Sequence, residues 1–252
     1  MILLDLQTRY ELIPILATIA TLIIATYYDI KSREIAEFLW IPALAISVLS
    51  AYFVSRPNLL VLIFSLMPAL IVLVLVLLKL IGGADFLAIL LIGLSTPYLN
   101  VLPISLLTLF YSALIPSTTI IYNFIINTVK YRGIYLKLKC DPTPKWLLLF
   151  LGRPIKVSAF IRSKFLYPLT VFECNSKTYD VMCRTSFDIS EDFKEHINQV
   201  EKCLSKGYLR PEDHIWVTPA LPHILFITVG YLLSLMTPKE LIYGIFKLFL
   251  GT

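Results

Sequence analysis

Two aspartates stand where apolar segments of the chain begin or end. Asp29 ends the first apolar segment, and Asp85 follows the glycine pair of Gly82-Gly83-Ala84 between two further apolar segments. An ionisable residue kept at or near bilayer depth is costly, which favours a functional role when a partner can be named. We therefore expect Asp29 and Asp85 to form one catalytic pair.

A pair of carboxylates can hydrolyse a peptide bond without a metal ion or a covalent intermediate. Two carboxylates held within a few ångströms cannot both ionise cheaply, so the pair keeps one proton. The ionised member takes a proton from water, while the other donates a proton to the carbonyl oxygen or the leaving amine. Gly82 and Gly83 suit this chemistry, because without side chains they let a helix end unwind and a substrate backbone come close.

Each aspartate alone also has a plainer interpretation. Asp85 at the start of an apolar helix is typical of an N-cap, and Asp29, near Lys31 and Arg33, is typical of an exposed loop charge. The pair is favoured by the combination of the glycine motif, the shared membrane face derived below and the lack of other acids inside the apolar segments, of which the first begins at Glu11.

The composition predicts a membrane protein. Of the 252 residues, 58% are hydrophobic and only 15% are charged, and the mean hydropathy is +0.79. Soluble domains carry roughly 25% charged residues. The net charge of +5 needs no nucleic acid to explain it, because the basic residues lie in one block and beside the apolar segments. The four cysteines have no close spacing and the three histidines lie far from them, so we expect no metal site, no cofactor and no disulfide framework.

The apolar segments predict an all-α polytopic membrane protein with six transmembrane helices and a small α+β cytoplasmic domain inserted before the last helix. A span of the bilayer core needs roughly 20 apolar residues, and the segment at 85–95 is short for this. The tail, 238–250, has the pattern of an interfacial amphipathic helix. The predicted spans are residues 11–28, 38–54, 59–81, 85–95, 101–129 and 215–236.

A change of composition at residue 130 marks the soluble domain. Residues 130–164 contain nine Lys or Arg and one acid, Asp141. We divide the chain into membrane helices at 1–129, a soluble domain at 130–214, and the last helix with its tail at 215–252. Within the domain, residues 155–172 and 178–187 are rich in β-branched and aromatic residues and predict short strands. Residues 191–206 predict an amphipathic helix capped by Ser190 and ended by Gly207.

The positive charges predict the orientation. The basic block after residue 130 is expected in the cytoplasm by the positive-inside rule. Counting spans back from it puts the loops of Asp29 and Asp85 on the same face. The site is therefore expected at the cytoplasmic face of the cell membrane.

At these residues the chain resembles the intramembrane aspartyl peptidases with a GxGD motif, and among them the archaeal preflagellin and prepilin peptidases. Gly82-Gly83-Ala84-Asp85 is similar to that motif with alanine in its third place, and Asp29 with its short charged loop is similar to the first catalytic aspartate. Before the last helix, Pro219-Ala220-Leu221 spells the PAL tripeptide of presenilin-type proteases.

The resemblance implies cleavage of class III signal peptides from archaellin and pilin precursors, just ahead of their hydrophobic helix. Such precursors carry basic residues before the cut, which Glu34 and Glu37 could attract; both are equally typical of ordinary loop charges. The cysteine-rich region of the bacterial enzymes that also methylate is missing, so we expect cleavage without methyl transfer. The implied partners are these precursors and membrane lipids.

Two other classes of function fit parts of the sequence. In a small ion- or proton-coupled transporter, Asp85 would bind a cation beside a broken helix. In a membrane scaffold, the basic domain would dock a partner or anionic lipid. Against a transporter, the chain shows no internal repeat, and both acids are predicted at one face of the membrane.

Overall fold

The chain separates into two compact units in the computed structural model, residues 1–115 with 222–252, and residues 116–221. The structure describes residues 2–97, 102–138, 145–174, 179–187 and 191–238, together with the single residues 240 and 247. Most of the predicted tail helix at 238–250 lies outside this part of the chain. The proposed cap, Ser190, also lies outside it.

The first unit is built from apolar helices. A 3₁₀ turn at Glu37–Leu39 precedes α2, which continues as a π-helical turn at Ala51–Ser55. The helix α5 begins in this unit and continues past residue 115 into the second. The helices are α1 (Ile2–Ser32), α2 (Ile41–Ser50), α3 (Leu59–Leu77), α4 (Gly83–Ser95), α5 (Ile104–Val129) and, after the second unit, α10 (His223–Met236).

Small and hydroxyl-bearing residues join these helices, as is usual where lipid removes the hydrophobic drive between helices. The hydroxyl of Ser65 on α3 donates to the carbonyl of Gly93 on α4 at 2.9 Å. The hydroxyls of Thr26 on α1 and Thr228 on α10 are 2.8 Å apart. Gly230 packs so closely on α5 that an added Cβ would lie 2.7 Å from the carbonyl oxygen of Thr108.

The six predicted spans are confirmed only in part. Among the residues that the structure describes, four helical segments are long and apolar enough to cross a membrane: Leu12–Ser32, Glu37–Ser55, Leu59–Leu77 and Ile104–Val129. The remaining two, α4 and α10, have 13 and 14 residues. A bilayer core needs roughly 20 helical residues, so a complete crossing by either helix is not confirmed.

The second unit contains two small antiparallel sheets and short helices. β5 is the central strand of the order β1-β5-β2, and β3 pairs with β4. The elements are α6 (Arg132–Lys137), α7 (Leu148–Leu151), β1 (Arg153–Lys156), α8 (Val157–Ile161), β2 (Leu166–Pro168), β3 (Thr170–Cys174), β4 (Tyr179–Cys183), α9 (Phe193–Ser205) and β5 (His214–Pro219). A 3₁₀ turn at Lys145–Leu147 leads into α7.

The amphipathic helix predicted at 191–206 is confirmed as α9. It begins two residues later, because Asp192 is the N-cap and accepts a hydrogen bond from the Lys194 N–H. Gly207 ends it in a left-handed conformation with φ of 76°. Val200 of this helix is buried in the apolar core of the second unit.

The predicted start of the last helix at residue 215 is wrong. Residues 214–219 form β5, and α10 begins only at His223. Ile215, Trp216 and Val217 are all buried in the second unit. A short run of buried apolar residues has no periodicity that separates a strand from a helix, which explains the error.

The expectation of no disulfide is also wrong. Cys174 at the end of β3 and Cys203 on α9 form a disulfide across 29 residues of sequence. Both cysteines are buried in the same apolar core, together with Val200 and Ile215. The sheet and the helix are thus covalently joined. The two cysteines are too far apart in sequence for their spacing to predict the disulfide.

Candidate active site

Asp29 lies in the last part of α1, and its carboxylate is held by two neighbours. The residue is only 8% exposed. One oxygen, Oδ1, lies 3.4 Å from the Arg33 guanidinium, and the other, Oδ2, accepts the backbone N–H of Ile224 at 3.0 Å. Arg33 follows the end of α1 directly and has φ of 62°. This left-handed turn is sterically unfavourable for arginine, and the charge contact with Asp29 helps to stabilise it.

Asp85 lies in the first turn of α4 and is equally buried, at 8% exposed. Its Oδ2 accepts the backbone N–H of Gly82 at 3.2 Å, which is the carboxylate half of a capping box. The plainer interpretation of Asp85 as part of a helix cap therefore describes one of its contacts. The same oxygen lies 3.6 Å from Nδ1 of His223, which a cap does not require.

The first turn of α10 contacts both aspartates. Its second residue donates a backbone N–H to Asp29, and its first residue, His223, brings an imidazole to Asp85. Asp29 and Asp85 therefore contact adjacent residues of the same helix, Ile224 and His223. Residues from α1, α4 and α10 thus meet at a single site.

The predicted glycine motif is open in the way that a substrate backbone would need. Gly82 has an extended conformation with φ of −79°, which any residue adopts. A Cβ on Gly82 would meet only Oδ2 of Asp85 at 3.8 Å, and a Cβ on Gly83 would meet nothing within 4 Å. There is thus room for a Cβ at both glycines, while Ala84 packs partly against the helical core.

The other predicted residues differ in where the structure puts them. Glu34 is exposed in the loop just after α1, and Glu37 is exposed at the start of the following 3₁₀ turn, within eight residues of Asp29. Pro219 ends β5, and the N–H of Ala220 donates to the carbonyl of Phe165 at 3.0 Å. Leu221 lines a groove of about 340 Å³ inside the second unit. The PAL tripeptide therefore lies in that unit.

Sequence reasoning missed Arg33, His223 and Ile224. Arg33 stands four residues after Asp29, a spacing that joins side chains on a helix. No local signal marks the backbone N–H of Ile224, which is 195 residues from its acceptor. In the described part of the chain, no group of three or more His, Cys, Asp or Glu residues could hold a metal ion.

Comparison with known families gives two matches. Residues 16–121 match the family model described as the type IV leader peptidase family, and residues 144–237 match the one described as the archaeal peptidase A24 C-terminus, type II. The first match contains Asp29 and Asp85, and the second contains His223. No curated protein matches the chain. Neither family match supports the alternative of a transporter.

Proposed function

Because the chain belongs to the type IV leader peptidase family, as an archaeal prepilin or preflagellin peptidase, we propose that Asp29 and Asp85 are its catalytic pair. The family is one of aspartic-type peptidases. The apolar helices of this chain, together with the family, indicate a multi-pass membrane protein. The observation that carries the proposal is the meeting of two buried carboxylates at the first turn of α10.

The contacts of the two aspartates support a water-activating mechanism. The pair shares one proton, because two adjacent carboxylates cannot both ionise cheaply away from bulk water. The ionised carboxylate removes a proton from the attacking water while the protonated one donates its proton to the substrate carbonyl oxygen. As the C–N bond breaks, the first carboxyl passes the proton it took from water to the leaving amine, and the second takes a proton back from a hydroxyl of the tetrahedral intermediate. Backbone N–H groups of Gly82 and Ile224 hold one oxygen of each carboxylate, which fixes the direction of its other oxygen.

The surroundings of the aspartate pair support a way of binding the precursor. The peptide to be cut approaches over Gly82 and Gly83, where no side chain blocks it. Basic residues of the leader are attracted by Glu34 and Glu37, and the apolar helix that follows the cut lies along the apolar helices of the first unit. The products are a free leader and a mature archaellin or pilin, with no methyl transfer.

The site faces the cytoplasm in this proposal, on the side of the basic residues after 130. Disulfides are typical of oxidising compartments and also of intracellular proteins from hyperthermophilic archaea. The Cys174–Cys203 bond is compatible with a cytoplasmic second unit in the latter case.

The test is cleavage of an archaellin or pilin precursor by membranes that contain the chain. Asp29→Asn and Asp85→Asn should each lower the rate by about 10²-fold or more, the contribution expected of a general acid or base. Glu212→Gln, which changes an exposed acid of the second unit, is the control and should cleave normally. Unchanged cleavage by either aspartate variant at equal expression would remove that residue from the mechanism.

A further inference from the structure

α10 touches both halves of the aspartate pair, and only one of its two contacts is explained by helix geometry. A carboxylate at a helix N-terminus is stabilised by free backbone N–H groups and by the helix dipole. Asp29 fits this rule, because it accepts the N–H of Ile224 in the first turn. An imidazole that carries a proton does not fit it, because a positive charge at a helix N-terminus is disfavoured.

We propose that His223 is a positioning residue that holds the Asp85 carboxylate in line with Asp29. The proposal rests on the function given above. In this arrangement α10 fixes Asp29 through its backbone and Asp85 through a side chain, so that one helix turn sets the relative position of two carboxylates carried by α1 and α4.

The geometry defines the kind of contact. The distance of 3.6 Å between Nδ1 of His223 and Oδ2 of Asp85 is in the range of an ion pair and too long for a direct hydrogen bond. Attraction at this distance is therefore electrostatic: it is strongest when the imidazole is positively charged, and a neutral N–H dipole in the same place supplies a weaker part of it. The His223 side chain is 50% exposed, whereas that of Asp85 is 11% exposed. Water thus has access to the imidazole and can protonate or deprotonate it.

The charged groups around His223 are few among the described residues. Asp85 faces it from α4, while Asp29 on α1 and Arg33, just after the end of α1, also act on it. Histidine is the side chain whose charge ordinarily changes near neutral pH. Because Arg33 keeps its charge, the contact between His223 and Asp85 is the one that weakens when the pH rises through the range of the imidazole.

The test uses three variants of the full chain in membranes, assayed with the same precursor. His223→Ala should lower kcat by about 10- to 100-fold with little change in KM, because misplacing a catalytic group by about 1 Å has effects of this size. His223→Asn keeps an N–H near the position of Nδ1 and should recover part of kcat. It should also lose the decline of kcat/KM with rising pH that we expect of the parent as the imidazole gives up its proton.

His214→Asn is the matched control, because His214 lies on β5 in the second unit. It should keep the parent kcat and pH profile. A parent-like kcat and pH profile in His223→Ala would overturn the proposal.

An experiment without turnover separates this proposal from the proposed function. With the protein in detergent micelles and its histidines isotopically labelled, Asp85→Asn should shift the NMR signal of the His223 imidazole, and Glu212→Gln should not. A signal unmoved by Asp85→Asn would overturn the contact. If the parent cleaves no precursor while the shift is present, the proposed function fails and the contact stands.

Discussion

Replacement of Gly230 by alanine tests whether the packing of α10 supports the aspartate site. A Cβ at this position would lie 2.7 Å from the carbonyl oxygen of Thr108 and 2.9 Å from the backbone nitrogen of Ser112. Both are backbone atoms of α5 and cannot rotate away. Ordinary contact begins near 3.4 Å, so α10 must retreat from α5 by about 0.7 Å.

The expected size of the effect follows from this misfit. Adding one carbon to a close-packed interface costs about 1–3 kcal/mol, which corresponds to roughly 2–10 °C in Tm for a protein of this size. Gly230 lies two helical turns, about 10 Å, from the first turn of α10. We therefore expect Gly230→Ala to lower both the Tm and the rate of precursor cleavage.

The assay is thermal unfolding in detergent together with cleavage at a temperature where both proteins are folded. Gly133→Ala on α6 is the matched control, because a Cβ there meets nothing within 4 Å. Alanine in place of an unstrained helical glycine is neutral or slightly stabilising. A Gly230→Ala protein with the Tm and kcat of the parent would refute the reasoning that α10 is pressed onto α5 and positions the site.

Three further predictions concern the motif, the loop acids and the disulfide. Gly83→Ala should leave the Tm unchanged yet lower kcat/KM, because its Cβ would occupy the space that we assign to the substrate backbone; full activity would show that the peptide approaches elsewhere. The double variant Glu34→Gln, Glu37→Gln should raise KM for precursors with basic leaders. The rise in KM should become smaller with added salt, which screens exposed charges. A KM unchanged at low salt would show that these acids are ordinary loop charges. Replacing Cys174 and Cys203 by serine should destabilise the second unit by about 3–4 kcal/mol, because the disulfide lowers the entropy of the unfolded chain by an amount set by the length of the closed loop. Limited proteolysis should then cut residues 145–221 faster than in the parent. Equal protease resistance would mean that the core is stable without the disulfide.

The aspartate pair could be proposed from sequence because a carboxylate beside an apolar segment has a physical cost that calls for a reason. Asp85 and its glycines stand out against uncharged surroundings, and Asp29 is the acid that ends the first apolar segment. The structure places both at the first turn of α10.

The contacts that orient the pair could not be predicted from local patterns. Ile224 acts through its backbone N–H, which its side-chain type does not reveal, and its acceptor is 195 residues away. In the sequence, His223 is a single polar residue before an apolar segment, a pattern that indicates no particular role. These contacts depend on how α1, α4 and α10 pack, which is a tertiary property.

The two errors in the second unit have the same origin. The apolar run at 215–217 continues towards α10 and therefore predicts a helix. In the structure, pairing with β1 and β2 makes these residues part of the central strand of a sheet. The Cys174–Cys203 disulfide joins residues that only the packing of α9 on β3 brings together. Composition predicted that a soluble unit exists here, and long-range pairing determined its strands.

The most direct measurement of the central claim compares kcat for Asp29→Asn, Asp85→Asn and the double variant on one precursor. If the two carboxylates act as a unit, each single variant loses nearly all activity and the double variant is no slower than either, because effects within a catalytic unit are strongly non-additive. Losses that multiply in the double variant, or a single variant that retains the parent rate, would contradict the paired mechanism.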